Sequence, residues 1–259
     1  MSESASIWIF NPHPRTYQDV KSNLQKYTAI ILVFSGLAVY VFVLPESHRQ
    51  FLETLSGRIP SFPLIGLGIF GAVFWLLGWI LICGFEIHDK FYDRHVTKWR
   101  RYYDLDFILP ALVRPFAQKL DKRFFDEAGD HKYEFMKPFY HFVGDVDPKI
   151  GKNFIVRFYE SITKYWITQI NEILLFFLLL LTFAYYFVYR SFALPLEDIV
   201  IAEIVIVALL VTNRAFVLTA RRAVRLKTAD EIEEILVKFP NELEEQLKGL
   251  HAKFNLKYE

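Results

Sequence analysis

FPLIGLGIFGAVFWLLGWILICGF, residues 62–85, holds 24 consecutive residues with no ionisable side chain except the thiol of Cys83. About 20 apolar residues suffice to cross a hydrocarbon core of about 30 Å. The stretch therefore predicts a membrane-spanning helix. EIHDKFYDRHVTKWRRYYD follows directly, and from residue 86 neither Pro nor Gly occurs before Pro110. The same helix is expected to run on out of the bilayer as a polar, aromatic-rich rod.

Three more apolar runs lie outward from this one. Residues 27–44, YTAIILVFSGLAVYVFVL, end at Pro45, and a short polar connection broken by Gly57 and Pro60 leads back to 62–85. Residues 173–189 and 199–218 form a second pair, joined by little more than RSFALPLED. The expected fold is an all-α membrane protein with four transmembrane helices in two hairpins. A cytosolic N-terminal arm and helix start occupy 1–26, and hairpin 1 occupies 27–85. A cytosolic helical insert follows at 86–170, hairpin 2 at 171–218 and a helical C-terminal tail at 219–259.

Lysine and arginine orient the spans, because cytoplasmic flanks carry their excess. Residues 1–26 hold 3, residues 86–170 hold 15 and residues 214–259 hold 9, against 2 and 1 in the two connections. Both termini and the insert are thus expected in the cytoplasm of a bacterial inner membrane. Composition agrees: 53% apolar and 17% aromatic residues exceed what an ordinary soluble domain carries. A net charge of +1 argues against bulk nucleic-acid binding. The single cysteine excludes an intrachain disulfide and a multi-cysteine zinc site. The N-terminus lacks the pattern of a cleaved signal peptide, so the first span is expected to direct insertion.

Local patterns refine this plan. Ile7 to Phe10, closed by Asn11-Pro12-His13-Pro14, reads as an apolar-tipped arm, and Thr16 with Asp19 as a cap for the helix that follows. Gly68 and Ala72 form a small-xxx-small pair of the kind that lets membrane helices approach closely. On an unbroken helix Lys90, Arg94, Lys98 and Arg101 fall within about 80° of arc, a basic stripe for an anion, lipid or partner. Asp147-Pro148 reads as a helix start leading into the third span. Thr228 and Glu231 read as a capping box, opening a helix with Ile232, Ile235, Leu236 and Phe239 on one face. Pro240 restarts a helix with Leu243, Leu247 and Leu250 aligned. These stripes need cover from the insert, another subunit or a separate protein.

No catalytic residue, metal site or cofactor is expected. HExxH, G-x-S-x-G and Walker-type glycine loops are absent. His88 and His95 would lie about 10 Å apart along a helix, too far to share one ion. Within the membrane, Glu203 stands out, because a charge deep in the bilayer costs about 2.5–3.5 kcal/mol. Tyr40, Tyr185 and Tyr186 fall at similar depth, giving either a clamp between helices or a water-lined ion path. Arg214 and Glu172 fall level at the inner side and are expected to pair.

The layout of two spans, a cytosolic insert, two spans and a tail resembles, by topology alone, that of bacterial motor stator subunits, bestrophin-type channels and four-span effectors of bacterial antiviral operons. The resemblance implies an assembly around an axis that moves ions or disrupts the membrane, with antiviral defence among its contexts. The expectation is thus a non-enzymatic homo-oligomer that forms or gates a pore, contacting membrane lipids and its own copies. The alternative is a membrane scaffold that recruits a cytosolic partner protein through the basic helix and the tail.

Overall fold

The structure is a computed structural model, and it describes residues 10–38, 75–96, 98–144, 147–188 and 196–259 with the isolated positions 50, 54 and 72. Among these residues the regular structure is all helical, without a named strand. The α-helices are α1 (Tyr17–Ala38), α2 (Trp99–Tyr102), α3 (Leu109–Val113), α4 (Phe124–Asp130), α5 (Lys132–Val143), α6 (Lys152–Val188), α7 (Leu196–Lys238) and α8 (Pro240–Lys253). π-Helical turns occupy Ile80–Gly84, Ile87–Val96 and Tyr103–Ile108. The chain divides into two compact units. Unit 1 comprises Met1–Asn11, Lys21–His88 and Tyr165–Thr219, and unit 2 comprises Pro12–Val20, Asp89–Lys164 and Ala220–Glu259.

In unit 1, two helices are long and apolar enough to cross a membrane, within α6 and α7. Only 17% of the apolar window of each is buried. A core helix of a water-soluble protein would be mostly covered, whereas here Phe176, Phe177, Ile204 and Val211 face outward. Of the predicted spans at 27–44 and 62–85, residues 39–44, 62–71, 73 and 74 lie outside the described residues. Their described parts are the C-terminal half of α1 and the apolar helix Trp75–Gly84. These two meet closely: a Cβ built on Gly78 would come within 3.2 Å of Ala29 N and Gln25 O. Leu24 and Ile82 are fully buried in this unit.

Unit 2 closes around aromatic rings. Phe124 of α4 meets Phe135 of α5 edge-on at 5.0 Å and lies flat against His251 of α8 at 5.2 Å. Phe142 stacks on Phe239 at 5.5 Å. Leu243, Leu247 and Leu250 of α8 are buried, and α8 packs on α5. The insert therefore covers the α8 stripe. The last residues are tied to the loop after Lys119, where Leu120 bridges Tyr258 and Glu259 N donates to Lys119 O at 3.1 Å. Backbone N–H groups of Arg123 and Lys257 donate to the Asp121 carboxylate and hold its pKa down to about 2. At the start of unit 2, Thr16 and Asp19 cap α1 reciprocally, each backbone N–H donating to the other's side chain at 3.1 Å.

Three expectations about helix ends are corrected. The rod after residue 85 is not one helix: it breaks at Glu86 (φ 48°) and Lys98 (φ 51°), with π-turns between and after. An unbroken α-helix would spread buried Asp93, Trp99, Tyr103 and Ile108 of unit 2 over about 180° of arc, wider than one packing face. Breaks and π-turns re-register them. The helix at Asp147-Pro148 starts instead at Lys152, because the N–H groups of Lys149 and Ile150 turn back to Phe142 O at 2.9 and 3.3 Å. No helix begins at Thr228, which lies buried within the continuous α7. Tertiary partners satisfy that side chain in place of an orphan N–H.

Candidate functional site

Two clusters collect the polar chemistry, one in each unit. In unit 1, polar side chains gather at the ends of the apolar runs. Arg214 Nη1 lies 3.2 Å from Glu172 Oε1, so this predicted pair is brought together. One position earlier, Asn213 Nδ2 donates to Thr168 O at 2.9 Å. Tyr27 Oη donates to Asn171 Oδ1 at 2.7 Å, and Lys21 pairs with Glu86 at the break. Buried His88 sets its ring edge-on to Trp166 at 4.7 Å. Such pairing is what lets polar groups sit beside apolar helices, where an unsatisfied group costs about 1–3 kcal/mol.

Glu203, the predicted intramembrane acid, is half-buried on α7. Tyr40 lies outside the described residues, as do the side chains of Tyr185 and Tyr186. Gly68 also lies outside them, and Ala72 is exposed. The glycine that the structure places at a close helix approach is Gly78. Its signal in the sequence was the same richness in glycine that pointed to Gly68.

The helix expected to carry the basic stripe is interrupted. Lys90 and Lys98 are exposed, but the left-handed residue at Lys98 and the π-turns before it remove the common 100° step that aligned them with Arg94 and Arg101. The side chains of Arg94 and Arg101 lie outside the described residues.

In unit 2 a different basic cluster appears. Trp99, Tyr103 and Phe107 stack in succession, with centroids 4.9 and 5.6 Å apart and planes 26° and 23° from parallel. Arg221 and Arg225 of α7 both place their guanidinium carbons over Trp99, at 4.9 and 5.0 Å from its centroid, and Arg225 also lies 5.7 Å from Phe107. The buried Tyr103 hydroxyl bonds Thr228 Oγ1 and donates to Val224 O at 3.4 Å, which fixes the middle ring. Burial pushes the Tyr103 phenol far above its ordinary range. One turn along α7, Glu231 is 2% exposed and its Oε1 has no hydrogen-bond partner among the described residues. Burial, reinforced by the Asp230 charge, pushes its pKa well above the usual carboxylate range.

No family model, curated protein or solved structure matches the chain. Function must therefore be argued from these side chains. Among the described residues no three His, Cys, Asp or Glu side chains converge as a metal site. Sequence reading missed the Trp99 cluster because it joins residues over a hundred positions apart. Arg221, Arg222 and Arg225 beyond a span were its visible trace.

Proposed function

We propose that this chain is a non-enzymatic, homo-oligomeric protein of a bacterial cytoplasmic membrane that forms or gates an ion-conducting or membrane-perturbing pore, with unit 2 as its cytosolic sensor. The observation that carries the proposal is the outward-facing apolar surface of the long helices in α6 and α7, of which only 17% of each window is buried in a single chain. Lipid and further copies of the chain are the surfaces that cover such faces. Glu203, half-buried in the same stretch of α7, supplies an ionisable group for a path between copies.

Ion flux from liposomes carrying the purified oligomer tests the reading. Glu203→Gln is expected to preserve oligomer size while flux falls, because the amide keeps shape and hydrogen-bonding reach. Liposomes that stay tight with wild-type protein, across pH, membrane potential and cytosolic extract, would remove the pore. The scaffold alternative requires a free recruiting surface, and the Leu243, Leu247 and Leu250 stripe is already used within unit 2. Deletion of residues 228–259 that abolishes co-purification of a partner, in a protein whose liposomes stay tight, would favour it.

A further inference from the structure

We propose that Glu231 is a proton-operated latch in unit 2: the neutral carboxyl lets α7 dock against Tyr103, and its ionisation releases that contact. Val224, Thr228, Glu231, Ile232 and Ile235 are all buried and recur at i, i+4, i+7, i+8 and i+11, which is one face of α7. Glu231 stands in the middle of this face, 2% exposed, and its Oε1 has no hydrogen-bond partner among the described residues. An aliphatic side chain would fill the position beside Ile232 and Ile235 without the cost of burying an unpaired polar group. Packing alone therefore does not account for a carboxyl here.

The surroundings favour the neutral form. Lys227, a helical neighbour four residues back, is turned to Asp230 at 3.0 Å, and Lys238 is paired with Glu234. The groups whose charge reaches the Tyr103 hydroxyl are Glu231 itself, Asp104 of the same π-turn and Tyr140 of α5, all of them acids, and Asp104 is already paired with Lys132. Arg221 and Arg225 lie over Trp99, and their positions are about 15 and 9 Å back along the axis of α7. Burial, and after it the Asp230 charge, accordingly holds the Glu231 carboxyl well above the usual carboxylate range. An unpaired carboxylate cannot remain in such a site: it draws in water or swings out. Either movement acts on Thr228, one turn earlier, whose hydroxyl bonds Tyr103 and fixes the middle ring of the Trp99–Phe107 stack. Rising pH therefore loosens α7 from the ring, and falling pH holds it. As a latch this is independent of whether a pore exists; as the stimulus of the cytosolic sensor it rests on the function proposed above.

Hydrogen exchange of the full-length protein, with each amide's rate divided by its intrinsic rate at the same pH, reads the latch directly. Between about pH 5 and 7 wild type is expected to lose protection several-fold over residues 224–235, within the limit of about tenfold per pH unit that one proton allows. The α8 amides are expected to keep theirs. Glu231→Gln, which keeps the shape and cannot ionise, is expected to hold α7 equally at both pH values, and so is Glu231→Met, which remains informative if the amide disturbs the fold. The same pH dependence in wild type and both variants would overturn the latch, as would wild-type protection that rises with pH. An equal loss across the whole of unit 2 would be global unfolding and would overturn the local device. Ion flux from liposomes at the same two pH values tests the stimulus. Flux that depends on pH in wild type and not in Glu231→Gln supports it, and identical pH dependence in the two overturns it. Liposomes that stay tight at both values would remove the pore, and with it the stimulus, while the exchange result still decides the latch.

Discussion

The two units use aromatic and aliphatic side chains in opposite ways. In unit 2 Phe124, Phe135 and Phe142 are fully buried, ring against ring, and α8 seals them with Leu243 and Leu247. In unit 1 Phe176, Phe177, Phe183, Ile204 and Val211 stand outward on α6 and α7. The same residue types thus perform two tasks. Inside unit 2 they exclude water, contributing about 25 cal/mol per Å² of apolar area buried. On unit 1 they face outward from the single chain, where under the proposed function lipid or neighbouring copies would cover them.

The largest effect that tests this contrast comes from paired truncations. Phe124→Ala removes a fully buried ring that contacts Phe135 and His251, and a loss of about 3–5 kcal/mol is expected. Phe177→Ala, at an outward position, is expected to change the stability of the detergent-solubilised monomer by less than about 0.5 kcal/mol. Hydrogen exchange on the two variants reads both units at once. Equal losses would erase the distinction between a self-contained unit and one completed from outside.

Next in size is Gly78→Val. Its first new carbon already meets Ala29 N and Gln25 O at 3.2 Å, and both are backbone atoms that cannot rotate away. Overpacking of this kind costs about 1–3 kcal/mol. The variant is expected to separate α1 from the Trp75–Gly84 helix, seen as faster exchange of the α1 amides with unit 2 unaffected. Unchanged α1 protection would show that the close approach is not needed.

A smaller effect, with a defined pH dependence, belongs to Glu231. Burial raises its folded pKa above the unfolded value of about 4.3, so the folded state holds a proton that the unfolded state releases. Stability is then greatest below the unfolded pKa and falls as pH rises toward the folded one. Glu231→Gln removes the titration. It is expected to flatten the decline of the unit 2 melting transition above about pH 5 and to raise the midpoint at pH 7 by about 2–4 °C, the equivalent of 1 kcal/mol for a chain of this size. A wild-type transition that rises with pH over this window would contradict the assignment.

How far the sequence could be read follows the same division. The helical class, the apolar runs in α6 and α7, the cap at Thr16 and the level pair Arg214 and Glu172 rest on local periodicity and on depth along a helix, which a sequence carries openly. The α8 stripe was visible too, although the choice of α5 as its cover was not. Lost were features fixed by distant partners. Thr228 and Glu231 match a capping box letter for letter, yet Tyr103 claims the threonine within an unbroken helix. The single helix expected under Lys90 to Arg101 is interrupted at Lys98, just before buried Trp99 and Tyr103. Trp99 with Arg221 and Arg225 was invisible for the same reason.

The smallest effect bears on that lost register. Lys98 is exposed and holds φ at 51°, a left-handed conformation that disfavours a side chain by about 1–2 kcal/mol. Glycine has no such penalty but loses more chain entropy on folding, about 0.5–1 kcal/mol. Lys98→Gly is therefore expected to stabilise unit 2 by roughly 0.5–1 kcal/mol, and Lys98→Ala to leave it nearly unchanged because the Cβ penalty remains. If the segment were the continuous helix that its composition suggests, the order would reverse: alanine would stabilise and glycine would cost about 1 kcal/mol. The sign of the glycine-to-alanine difference, read from unit 2 melting, therefore decides whether the chain breaks at Lys98 to place Trp99 beneath Arg221 and Arg225.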